Sequence, residues 1–168
     1  MTSFVQDRHS IAVLGIGNFV LGDEGFGIHV IRALNNYKFD PPIELIDGGT
    51  AGITLINSIE GIKRLIVVDC IDIDKPCGSI FVFDKKDIAN APGIRFSPHQ
   101  IGFLDVLDLL AMRDKAPLEI KFIGVVGKNF SPSLELSETL QNVLPKVCRL
   151  VLELLKEFNV EVISKKEI

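Results

Sequence analysis

Two carboxylates and one imidazole stand where this sequence could do chemistry: Glu24 in LGDEG, Asp69 in LIVVDC and His99 in SPHQ. Together they offer two oxygen ligands and one nitrogen ligand, a set suited to a borderline divalent metal such as nickel, zinc, iron or manganese. They lie far apart in the chain, so only a fold that gathers them makes them a site. Each also has a plainer role. A carboxylate directly after the apolar run LIVV sits where a buried strand reaches solvent, and could cap a turn there. Asp23 and Glu24 open a helical pattern, and Asp23 is read as complementing the positive end of that helix dipole. His99 falls in the first turn of another helix, where the same dipole disfavours protonation and keeps a neutral nitrogen available as ligand or base. His9 and His29 have no partner at a useful spacing and read as surface or packing residues.

Other chemistries find less support. Gly15-Ile16-Gly17 opens like a dinucleotide loop, but Val20 stands where the third glycine of G-x-G-x-x-G belongs, and acids follow. The two glycines suit a tight strand exit instead. There is no G-x-S-x-G and no H-E-x-x-H. Cys70, Cys77 and Cys148 are odd in number and form no C-x-x-C, which fits reduced structural thiols in the cytoplasm.

The elements that must position these groups alternate. Ile11 to Leu14 reads as a buried strand, and Phe26, Val30, Ile31 and Leu34 then mark a helix. After Pro41 and Pro42, Ile43 to Ile46 gives a second strand, and DGGTAG turns into a helix through Ile53, Leu55 and Ile56. Arg64 to Cys70 is a strand covered on both faces; Ser79 to Phe83 is an edge or hairpin strand of open direction. Ser97, Pro98 and Gln100 form a capping box for a helix whose apolar face is Phe103, Val106, Leu107 and Leu110. Ile120 to Val126 is a late strand, and a long stripe from Leu140 to Leu155 makes a closing helix, kinked at Pro145. The expected fold is α/β: a three-layer α/β/α sandwich around a twisted, mostly parallel sheet, with residues 1–168 as a single domain. In such sheets ligands bind beyond the carboxyl ends of the strands, so Glu24, Asp69 and DGGT are expected at one rim.

Composition sets limits. A net charge of −4 with scattered basic residues argues against nucleic-acid binding. No apolar run approaches the roughly 18 residues that span a bilayer, and the N-terminus lacks the pattern of an export signal, so a soluble cytoplasmic protein is expected.

The blocks LGIGNFVLGDEGFGIHV, IDGGTAGITLI, IVVDC and SPHQIGFLDVL, in that order, resemble the hydrogenase maturation endopeptidases, with a weaker echo in SLELSETL. That family trims the C-terminal extension from the large-subunit precursor of [NiFe] hydrogenase. The resemblance implies a metal site of Glu24, Asp69 and His99 that contacts nickel carried by the precursor, though other divalent metals could occupy it. For cleavage it implies a hydrolase by one of two routes: a carboxylate activating water as in aspartic-type peptidases, with Asp69 and Glu24 as the catalytic carboxylates and Asp69 the favoured base, or nickel polarising the scissile carbonyl. Asp47, Gly48 and Gly49 would shape the same rim, where glycines let an extended substrate tail approach. The family's Gly-Ile-Gln-Pro-like segment is replaced here by GVVG, Gly124 to Gly127, followed by KNFSPS. A non-cleaving nickel-dependent chaperone for the precursor, or less favourably a nucleotide-binding α/β protein, would be the alternatives.

Overall fold

The computed structural model describes residues 10–88 and 98–165, apart from the side chains of residues 88, 98–101 and 165. In chain order these form β1 (Ile11–Ile16), a 3-10 turn (Gly22–Gly25), α1 (Phe26–Leu34), β2 (Tyr37–Asp40), β3 (Glu44–Gly49) and a second 3-10 turn (Gly52–Leu55). There follow α2 (Ile56–Ile59), β4 (Arg64–Ile71), β5 (Ile80–Asp84), α3 (Lys85–Ile88), α4 (Pro98–Ala111), β6 (Glu119–Val126), α5 (Glu138–Glu157) and β7 (Glu161–Lys165). The main sheet has the order β3-β1-β4-β6-β5; β5 alone is antiparallel to its neighbour, so the sheet is mostly parallel, as expected.

The strands are continuously apolar because both faces are covered. Val13, Ile66, Val68, Ile123 and Val125 point to one side, where they pack with Phe26, Val30 and Leu34 of α1 and Leu140, Val147 and Val151 of α5. Their alternating neighbours Leu14, Leu65, Val67, Ile120 and Phe122 meet Ile59 of α2 and Phe103, Val106 and Leu110 of α4 on the other. Period-two alternation along each strand thus feeds two apolar layers. Cys70 and Cys148 are buried and Cys77 partly so, all three as free thiols.

The elements depart from the sequence reading in a few places. The helix expected after DGGTAG is a 3-10 turn followed by one short helix, and Ile53 is exposed. β2 and β7 were not expected; they pair with each other in a separate antiparallel ribbon. β2 alternates between half-buried and exposed and the described residues of β7 are exposed, so neither shows the buried apolar run that marks a central strand. Ser97 of the capping box lies outside the described residues.

Candidate active site

From β1 the chain passes to β3 on one side, then crosses to β4 on the other, so a crevice opens at the carboxyl ends of β1 and β4. Glycines let the backbone close around it. Gly15 and Gly27 bring α1 down onto the sheet: a Cβ on Gly15 would strike Gly27 O, and one on Gly27 would strike Val68 O. Gly17 has φ +133°, and a Cβ there would overlap Glu24 O and stand 3.7 Å from Asp69 Oδ1. Gly17 N also donates to Gly49 O at 3.0 Å. A residue without a side chain is therefore the point where the Glu24 turn, the Asp69 strand and the end of β3 meet.

Asp69 is not at a strand end in solvent. β4 runs on to Ile71, and Asp69 is 1% exposed. Its Oδ1 accepts the amide of Cys70 at 2.7 Å, and its Oδ2 is shielded from water. Glu24, in the 3-10 turn before α1, is half-buried with Oε2 likewise shielded. Two acids at one rim are the groups that a cation, or a proton in transfer, would meet.

Asp47 is exposed at the end of β3, where its Oδ1 accepts the Gly49 amide at 3.1 Å. Gly49 sits at φ +47°, while Gly48 is buried against Leu14 and Gly15, so both glycines are demanded by the turn itself. His99 belongs to the first turn of α4, and its side chain lies outside the described residues. The helix carrying it packs closely at Gly102, where a Cβ would lie 3.2 Å from Gly52 Cα, beside the DGGT turn. Among the described residues no three His, Cys, Asp or Glu side chains are arranged to hold a metal ion.

Asp23 plays a part that the sequence reading did not foresee. It is fully buried, and instead of facing the α1 dipole it binds a distant segment. Its Oδ2 accepts the amides of Lys128 at 3.0 Å and Asn129 at 2.9 Å and the hydroxyl of Ser137 at 3.0 Å; Oδ1 accepts the Ser137 amide at 2.8 Å. Burial by itself would raise the Asp23 pKa, but these donors outweigh it and hold the carboxyl below its ordinary value. Backbone pairing reinforces the connection: Asp23 N donates to Asn129 O, Gly22 N to Ser133 O and Ser133 N to Val20 O. The GVVG departure lies here. A Cβ on Gly127 would strike Cys70 Sγ and come within 3.1 Å of Asp23 Cβ. Burial pushes the Cys70 thiol up, and the carboxylates of Asp69, Asp23 and Glu24 push it further, so it stays protonated and is no competing thiolate ligand. His29, which the sequence offers as a surface or packing residue, packs against Phe19 with ring centroids 4.9 Å apart and the planes tilted by 37°.

Residues 28–154 match the family model described as hydrogenase maturation protease, a span that includes Asp47, Asp69 and His99 and begins just after Glu24. The hydrogenase 2 maturation protease of Escherichia coli K12 is 31% identical over 160 residues, covering 94% of this chain and 98% of that one. The hydrogenase expression/formation protein HoxM of Azotobacter vinelandii is 37% identical over 153 residues, 88% of this chain and 73% of that one. Among solved structures, the hydrogenase maturating endopeptidase HybD from E. coli superposes with a TM-score of 0.84 at 30% identity, over 90% of this chain and 95% of that one. The chain with its buried acids at the sheet's switch point belongs to the hydrogenase maturation protease family.

Proposed function

We propose that this protein is an endopeptidase that removes the C-terminal extension of a nickel-loaded [NiFe] hydrogenase large-subunit precursor. The observation that carries it is the buried Asp69 beside the Glu24 turn, at the switch-point crevice of a chain in this family. Nickel enters as part of the substrate. Glu24, Asp69 and His99 are the groups that would contact it, their oxygen and nitrogen donors fitting a borderline cation. Asp47, Gly48 and Gly49 would border the path of the tail. The reaction belongs in the cytoplasm, which three free cysteines suit. Among the described residues no helix is long and apolar enough to cross a membrane.

In the mechanism we favour, of aspartic type, Asp69 acts as general base. It takes a proton from water as the oxygen adds to the scissile carbonyl carbon, then returns it to the leaving nitrogen as the C–N bond breaks, giving a new carboxyl terminus and a free amine. Glu24 is the second carboxylate, holding the metal-bearing end of the substrate in register.

The test is to incubate the protein with matched nickel-loaded and nickel-free precursors and follow intact mass. Loss of a C-terminal fragment from the loaded form alone is expected. A cognate precursor left whole in both forms would turn the assignment toward a non-cleaving binding module.

A further inference from the structure

The segment 127–137 forms no helix and no named strand, yet it is tied down at several points against the turn that carries Glu24. Its ends matter most. At one, Gly127 lies against Cys70 Sγ, next to Asp69, and its amide reaches Ile71 O at 3.3 Å. At the other, Ser137 gives both its amide and its hydroxyl to Asp23 before capping α5 through a 3.5 Å contact with the Leu140 amide. Between them Lys128 and Asn129 donate to the same carboxylate.

All of Asp23's side-chain bonds among the described residues thus go to this one segment, and both its oxygens are used. A loop of this length held only by its own turns would sample many conformations; several charge-assisted bonds to a buried anion fix one. The fixed loop shows Phe130 and Leu134 to solvent at 39% and 59% exposure, with Val20 at 54% beside it across the Leu21–Ser133 bridge. Phe130 is no stray surface ring: its edge would lie 3.1 Å from a Cβ on Gly127, directly over the link to Cys70.

We propose that Asp23 is a positioning residue that latches segment 127–137 against the Glu24 turn, making the segment a fixed wall of the substrate site, with Phe130 the side chain that grips the substrate. The proposal rests on the endopeptidase reading for its substrate, the precursor, and on the hydrogen bonds alone for the latch. It gives the GVVG departure a physical meaning, because Gly127 leaves no room for a side chain between Cys70 and Asp23.

Two measurements separate the parts. Hydrogen exchange on the wild-type protein should show the amides of Lys128, Asn129 and Ser137 protected although the segment is irregular. In Asp23→Asn they should exchange at least about tenfold faster while the amides of β4 keep their protection. Unprotected amides in the wild type, or unchanged rates in the variant, would overturn the latch whether or not any precursor is cleaved. Steady-state cleavage of the nickel-loaded precursor then tests the wall. Asp23→Asn and Phe130→Ala are each expected to raise KM about tenfold or more while kcat falls less than about threefold, the pattern of lost binding. A wild-type KM in Phe130→Ala would overturn the wall even if Asp23→Asn fails to fold. Loss of kcat at constant KM in Asp23→Asn would do the same. If wild-type protein leaves the precursor whole, the endopeptidase reading falls and the exchange result still decides the latch.

Discussion

Asp23 and Asp69 are both buried acids at one rim, at 0% and 1% exposure, yet they are built for opposite ends. Asp23 is surrounded by donors: three backbone amides and a hydroxyl from one loop converge on its two oxygens. Its charge is spent inside the fold. Asp69 Oδ1 takes the amide of the next residue, and the side chain lies beside Gly17, where the missing side chain lets the Glu24 turn close onto the Asp69 strand. Burial by itself therefore does not mark a candidate catalytic acid: the four bonds of Asp23 all run to one distant segment, whereas Asp69 borders the point where the Glu24 turn and the end of β3 meet.

Substitution should separate the pair. The largest effect is expected at Asp69: Asp69→Asn should lower precursor cleavage by about 10³-fold or more. Unfolding free energy should move by less than about 1 kcal/mol, because the amide oxygen can still accept the Cys70 N–H. A variant cleaving at more than about a tenth of the wild-type rate would remove Asp69 as the base. Glu24→Gln should match it in direction. Asp23→Asn should reverse the profile and destabilise the protein by about 2–3 kcal/mol in urea, since its NH₂ would face either the Ser137 amide or the other donors of segment 127–137. A loss below about 0.5 kcal/mol would mean that the latch contributes little to the fold.

Cysteine chemistry sharpens the contrast further. Burial, then the charges of Asp69, Asp23 and Glu24, keep Cys70 a thiol, and burial pushes the Cys148 thiol to about 11. Alkylation near pH 8 of the folded protein should therefore label Cys77 first. Early labelling of Cys70 would contradict the packed Gly127 contact.

The smallest effect concerns His29, which lies on α1 a turn beyond the Glu24 segment. Burial lowers its pKa, Arg32 lowers it further, and a hydrogen bond with the Leu134 backbone only partly offsets them. With the folded value below the ordinary 6.5 or so, the unfolded chain binds the extra proton first. Stability is therefore full above that value and is lost as pH falls below it, down to the folded pKa. His29→Gln should flatten this part of the stability profile, by about 1 kcal/mol or less. An identical profile in the variant would assign the slope to other groups.

Much of this was legible from residue order. Consecutive apolar runs gave β1, β4 and β6, and the 3.6-residue stripes gave α1, α4 and α5, because both signals are local and the core is two-sided. Glu24 and Asp69 were recognisable from the blocks that contain them. The depth of Asp69 was not, since nothing in LIVVDC says that the strand continues past its acid. The Asp23 latch was also hidden. Its partners lie more than a hundred residues away and donate mainly through backbone amides, which carry no signature in the sequence. For the same reason β2 and β7 escaped notice: each completes a ribbon only when the other arrives from the far end of the chain.

The most direct measurement is single-turnover cleavage of the nickel-loaded precursor with Asp23→Asn and Asp69→Asn in saturating excess, each confirmed folded by circular dichroism. The expected result is a rate close to wild type for Asp23→Asn and no C-terminal fragment from Asp69→Asn. A fragment released at wild-type rate by Asp69→Asn, or none from folded Asp23→Asn, would contradict the division of labour between the two acids.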